Sequence, residues 1–185
     1  MDDARSRITT HLRGGEQLLW VGQPDSDVRF TPADAFLVPF SILWGGFAVV
    51  WETTVIVSGA PPLFVLWGIP FVLMGLYLIA GRFIVKKRWK LATVYGLTPS
   101  RAIVCTGERS FSDSPVRGVP TKVDRSKDGR HVTVVFGHQG AMGLFGFYQN
   151  TGLDFFARGL SPSVGFFDVH DPDGLLRALD HANVV

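Results

Sequence analysis

A chain of 185 residues holds one ordinary domain, or a small domain together with membrane spans. Its 46% hydrophobic residues and fifteen Phe exclude a disordered chain, and its single cysteine, Cys105, excludes an internal disulfide and suits a reducing compartment. The formal charge of +2 hides a segregation: residues 82–130 hold twelve Lys or Arg against four acids, whereas residues 35–81 hold Glu52 as their only charge. A basic block beside an uncharged one points to an anionic surface, and a phospholipid headgroup layer is the economical choice.

The first residues, Met1-Asp2-Asp3-Ala4-Arg5, are polar and lack an apolar core, so no cleavable signal peptide is expected. Gln17 to Val21 reads as a strand. Thr31-Pro32-Ala33-Asp34 then reads as a helix start, with Thr31 as cap, Pro32 at the first helical position and Asp34 at the positive end of the dipole. Ala35 to Trp51 is uncharged, and Thr53 to Val57 can extend the same helix. At about 1.5 Å per residue, this helix is long enough for a hydrocarbon core of about 30 Å. Ser58-Gly59-Ala60-Pro61 marks a turn, and Leu63 to Gly81 is a second uncharged run. Arg82 and the cluster Lys86-Lys87-Arg88-Trp89-Lys90 follow, while the loop between the runs has no Lys or Arg. The positive-inside rule therefore places both termini in the cytoplasm, with two spans across the inner membrane. Soluble helices carry a polar face, and these two runs have none.

Within the spans, Gly45, Gly46, Ala48, Gly68 and Gly75 allow close helix approach, and Pro39 and Pro70 are expected to bend the helices. Glu52 reads first as a carboxylate at the outer headgroup level beside Trp51. An intramembrane acid serving proton or ion movement would call for ionisable partners, and neither run supplies a second one.

Beyond the basic cluster the pattern turns to short strands. Leu91 to Leu97 and Arg101 to Thr106 form a hairpin around Thr98-Pro99-Ser100. Val116 to Val123 is expected as an edge strand, restricted by Pro115 and Pro120. Asp128-Gly129 turns into a strand at His131 to Phe136, and Ser163 to Val169 forms a last strand. Asp171 caps a closing helix with a stripe of Leu175, Leu176, Leu179 and Ala182. The Phe- and Gly-rich stretch from Gly137 to Leu160, with Met142, Phe145, Phe147, Phe155 and Phe156, reads as a core hairpin, or else as an apolar loop that meets the membrane or a partner. These elements describe a membrane α-helical hairpin plus an antiparallel barrel or sandwich closed by one C-terminal helix. The expected division is a segment 1–30 whose strand joins the β domain, a transmembrane hairpin 31–85, and a cytoplasmic β domain 86–185.

Two stretches carry a resemblance. Gly15-Glu16-Gln17-Leu18-Leu19-Trp20-Val21-Gly22-Gln23-Pro24 and Tyr95-Gly96-Leu97-Thr98-Pro99-Ser100-Arg101-Ala102-Ile103-Val104, around a two-span hairpin, resemble bacterial membrane proteins with a pleckstrin-homology-like (bacterial PH) domain. The closing Gly165-Phe166-Phe167-Asp168-Val169 with its capped helix looks similar too. Pro99 replaces the acidic or amide residue usual after the Thr. The resemblance implies a PH-like fold, a bent antiparallel sheet closed by one helix, and carries no functional residue across.

No catalytic constellation is legible. Cys105 lies inside a strand and reads as a buried structural thiol, and there is no phosphate loop or nucleophile elbow. The five histidines show no pair at metal-ligand spacing, and Asp171 to Asp173 are accounted for by the helix cap, so no metal or cofactor is expected. Lys86, Lys87, Arg88, Trp89 and Lys90 are the lipid-binding candidates beside a reading as plain anchoring residues. The resulting expectation is a non-catalytic, membrane-anchored interaction module that meets anionic lipid or a partner protein. Homo-oligomers are compatible with it, and no nucleic acid or small-molecule substrate is expected. The alternative is a subunit of an oligomeric pore or transporter with a cytoplasmic assembly domain.

Overall fold

The computed structural model describes residues 2–107, 110–137, 150–154 and 164–182. Most of the Phe-rich stretch 137–160 therefore lies outside the described residues. The chain divides into two compact units. Residues 29–86 and the turn at 150–154 belong to one, and residues 2–28, 87–137 and 164–182 to the other.

The first unit is built on two antiparallel-connected apolar helices. Helix α2, Asp34–Val57, has 24 residues, and α3, Pro62–Leu76, has 15 (α1, Asp2–Thr9, lies in the other unit). One turn of π-helix, Tyr77–Gly81, joins α3 to α4, Arg82–Ala92, so the second helix is effectively continuous over 31 residues. Both are long and apolar enough to cross a membrane. The buried positions of α2 are Asp34, Leu37, Ser41, Gly45, Ala48 and Glu52, a stripe at three- and four-residue spacing. On α3 only Gly68 and Gly75 are buried. A Cβ on Gly75 would lie 2.8 Å from the Gly45 Cα, so the helices meet backbone to backbone. Many of the large apolar side chains face outward, among them Val57 at 81% exposure, Leu43 at 74% and Leu63 at 73%.

The helix start differs in detail from the sequence expectation. Ala33, not Thr31, precedes the first turn, and the Asp34 carboxylate reaches back to accept from the Thr31 amide (2.6 Å) and hydroxyl (2.9 Å). The basic cluster is also helical rather than a boundary before a strand at Leu91. Nothing between Arg82 and Ala92 is Pro, Gly or a helix-capping residue, so the helix propagates until β-branched Thr93.

The second unit contains two antiparallel sheets. The four-stranded sheet runs β1 (Trp20–Gly22), β2 (Thr93–Leu97), β3 (Arg101–Thr106), β4 (Ser110–Pro115), and the three-stranded sheet runs β5 (Thr121–Arg125), β6 (Val132–Phe136), β7 (Val164–Val169). Trp20 pairs with Leu97, bringing the N-terminal segment onto the β2–β3 hairpin. The sheets form separate ladders, and no closed barrel arises among the described residues. The edge strand expected at Val116 to Val123 starts later, as β5 at the edge of the second sheet, after a break at 116–120. Pro115 and Pro120 flank it, and Gly118 adopts φ 73°.

Side-chain alternation explains the packing. Tyr95 and Leu97 of β2, with Val134 and Phe136 of β6 and Phe166 of β7, face a core completed by Leu175 and Leu179 of the C-terminal helix α5 (Pro172–His181). Asp171 caps α5 by accepting from the Gly174 amide at 3.0 Å. The opposite face of β2 and β3, Val94, Ile103 and Cys105, is covered by Ala4 and Ile8 of α1 (Asp2–Thr9). Burial raises the pKa of the Cys105 thiol, which keeps it protonated and inert.

Candidate functional site

The five basic-cluster residues are not equivalent, because their helix turns them in different directions. Lys86 is buried and donates to the Arg29 carbonyl at 2.8 Å. Lys90 is buried as well. Its ammonium donates to the carbonyls of Asp25 (2.9 Å) and Val28 (2.8 Å) and pairs with Asp168 at 2.5 Å. Trp89 is half-buried, and its carbonyl accepts from Thr93. Lys87 and Arg88 are exposed. Two of the four cations therefore hold structure, and two are presented to the surroundings.

A second polar group lies within the helical unit. Arg82, 1% exposed, forms an ion pair with Asp34 and donates from Nε to the Leu78 carbonyl at 2.8 Å. Its guanidinium also lies 4.3 Å from the Phe83 ring centroid. Its remaining nitrogen, Nη2, is buried without a hydrogen-bond partner among the described residues. The turn at 150–154 covers this group. Tyr77 donates to the Gly152 carbonyl at 2.5 Å, and Gly152, at φ 83°, approaches so closely that a Cβ would strike the Arg82 carbonyl. Asp154 accepts from the amides of Asn150 and Gly152 at 2.6 and 3.0 Å. Burial pushes its pKa up, an effect these amides and Lys86 partly offset. The arrangement ties both helix ends and the turn together.

Glu52 is buried on the α2 face that meets Gly68, where its carboxylate occupies the space a Cβ would need. Its Oε2 has no hydrogen-bond partner among the described residues. Nearby, Trp44, Phe47, Ala48, Trp51, Trp67 and Phe71 line an apolar groove of about 170 Å³.

Sequence reasoning missed the Arg82–Asp34 pair. Its signal was available, since one acid opens the first apolar run and one base closes the second. Comparisons with protein-family profiles, with curated proteins and with solved structures find no match to this chain.

Proposed function

We propose that this chain is a non-catalytic, membrane-anchored interaction module. The helical hairpin is its anchor in the inner membrane, both termini are cytoplasmic, and a PH-like β unit meets anionic lipid headgroups or a partner protein there. The observation that carries this reading is the outward-facing apolar surface of α2 and α3. Large side chains such as Leu43, Val57, Leu63 and Trp67 are exposed, whereas Asp34, Ser41 and Glu52 of α2 are turned inward. Water would penalise such a surface by about 25 cal/mol per Å², and lipid would not. The antiparallel strands closed by α5 support the PH-like part of the reading.

Lys87 and Arg88 are the lipid-facing residues. At about 1 kcal/mol per base near an anionic surface, replacing both by Gln is expected to lower preference for anionic lipid roughly thirtyfold. Native mass spectrometry of the delipidated full chain, offered phosphatidylglycerol or phosphatidylcholine, measures this. Equal retention of the two lipids by the unaltered chain would sink the lipid reading. Extraction of membranes with alkaline carbonate tests the anchor, and release of the chain into the supernatant would overturn it.

One observation favours the pore or transporter reading: the buried Oε2 of Glu52, which has no hydrogen-bond partner among the described residues. That reading expects Glu52→Gln to abolish ion or proton flux into proteoliposomes. Absence of flux from the unaltered chain removes it.

A further inference from the structure

We propose that Asp25, His131 and His170 form a binding site for a first-row divalent transition metal, with zinc the ion its donors suit best. The ladder of the second sheet builds the site. Val132 of β6 pairs with Val169 of β7, so His131, just before β6, and His170, just after β7, sit opposite each other at one end of that strand pair. Pro24 bridges to Val169, and the Asp25 amide donates to the Asp168 carbonyl at 2.9 Å, which delivers the Asp25 side chain to the same end.

One carboxylate oxygen bonds one imidazole and lies near the other. Asp25 Oδ2 lies 2.8 Å from His131 Nε2 and 3.7 Å from His170 Nδ1, and the three donor atoms fall within 4.8 Å of one another. A tetrahedral ion with bonds of about 2.0–2.1 Å separates its donors by roughly 3.3 Å, so these two distances bracket the required spacing. Small side-chain rotations bring the set together, and His170, with 75% of its side chain exposed, is free to make them. The other carboxylate oxygen, Oδ1, accepts from the Asp27 amide at 2.8 Å, the kind of outer support that fixes a ligating carboxylate. That amide bond, with His131 beside it, holds the Asp25 carboxyl below its ordinary range and so ionised.

A plain His–Asp hydrogen bond explains His131 alone. The second imidazole, 3.7 Å from the same oxygen and with its ring centroid 5.6 Å from that of His131, completes a set of three donors that a metal can gather. The nearby cation Lys90 does not oppose binding strongly, because Asp168 already neutralises it. Two imidazoles and one carboxylate select a transition metal over magnesium or calcium, and three protein ligands leave a fourth position for water or a donor from outside. The site would clamp the segment after β1 to the ends of β6 and β7. It does not depend on the membrane reading.

The test uses the full chain in detergent with any affinity tag removed. Zinc, with magnesium as control, is titrated in competition with a chromophoric chelator, and the melting temperature is read with and without metal. One zinc per chain is expected, raising the melting temperature, with no response to magnesium. His170→Ala and Asp25→Asn should each lower zinc affinity about tenfold or more. The exposed position of His170 should leave the metal-free melting of His170→Ala unchanged, and that variant should lose the zinc-induced rise. Failure of the unaltered chain to take up zinc saturably overturns the proposal. So does uptake that neither substitution weakens.

Discussion

Asp34→Ala is expected to destabilise the helical unit by about 3–5 kcal/mol, the usual cost of breaking a buried ion pair. The reason is what it leaves behind. Arg82 is 1% exposed, and one of its nitrogens already lacks a partner among the described residues. Without the carboxylate it keeps the Leu78 carbonyl and the Phe83 ring, which do not compensate a whole charge. The substitution also removes the acceptor for the Thr31 amide and hydroxyl at the start of α2. Asp34→Asn should fall between, since its amide oxygen still accepts from Thr31. The double replacement Asp34→Leu with Arg82→Met removes both charges and is expected to recover most of the loss, because well-packed apolar pairs commonly match buried ion pairs. Unfolding of the full chain in detergent, followed by helical circular dichroism, reads all three. A loss below about 1 kcal/mol in Asp34→Ala would place the pair in the class of solvated surface bridges.

The legible parts of this chain were those where one physical requirement dominates a long stretch. Two uncharged runs can satisfy their backbone only as helices once water is removed, and α2 and α3 follow those runs closely. The β2–β3 hairpin was legible from Thr98-Pro99-Ser100, and α5 from Asp171-Pro172 followed by its leucines. Illegible elements lacked such a signal. Strand β4, Ser-Phe-Ser-Asp-Ser-Pro, is exposed at nearly every position, so no alternation marks it; it exists because β3 offers it a ladder. Helix α1 buries Ala4 and Ile8, one contact per turn, too short a stripe to read.

The candidate sites divide in the same way. Composition marks a basic segment, but only the helix phase distinguishes Lys87 and Arg88 from Lys86 and Lys90. The histidines looked unrelated because their spacing in sequence means nothing until the register of β6 against β7 is known. The two stretches that carried the family resemblance are joined in a way the sequence does not print. Glu16 of the first stretch grips Thr98, Ser100 and Arg101 of the second.

That grip supplies the other large expectation: Glu16→Ala should cost about 3 kcal/mol or more in the β unit. Arg101, on β3, is buried and donates to both Glu16 oxygens, from Nε at 2.9 and 3.2 Å and from Nη2 at 2.7 Å. The Thr98 hydroxyl adds a bond at 2.8 Å, and the Arg13 amide one at 3.0 Å. Asp113 still pairs with Arg101 at 2.8 Å after the substitution, which sets the loss at the lower end for a buried pair. The same contacts define a pH dependence. Hydrogen bonds from Arg101, before any other cause, hold the Glu16 carboxyl far below its ordinary value of 4.5. A depressed carboxyl contributes stability that is fully present above its unfolded value, so the Glu16 contribution should not change between neutral pH and about pH 5. Below 4.5 the unfolded chain binds the proton first, and the contribution falls as pH drops toward the folded value. Asp25 also has a lowered pKa, so the total acid slope is not Glu16 alone. The difference between the unaltered chain and Glu16→Gln isolates it: large in urea unfolding at pH 7 and smaller at pH 3. A difference independent of pH would mean that the hydrogen bonds, rather than the charge of Glu16, hold Arg101 in place.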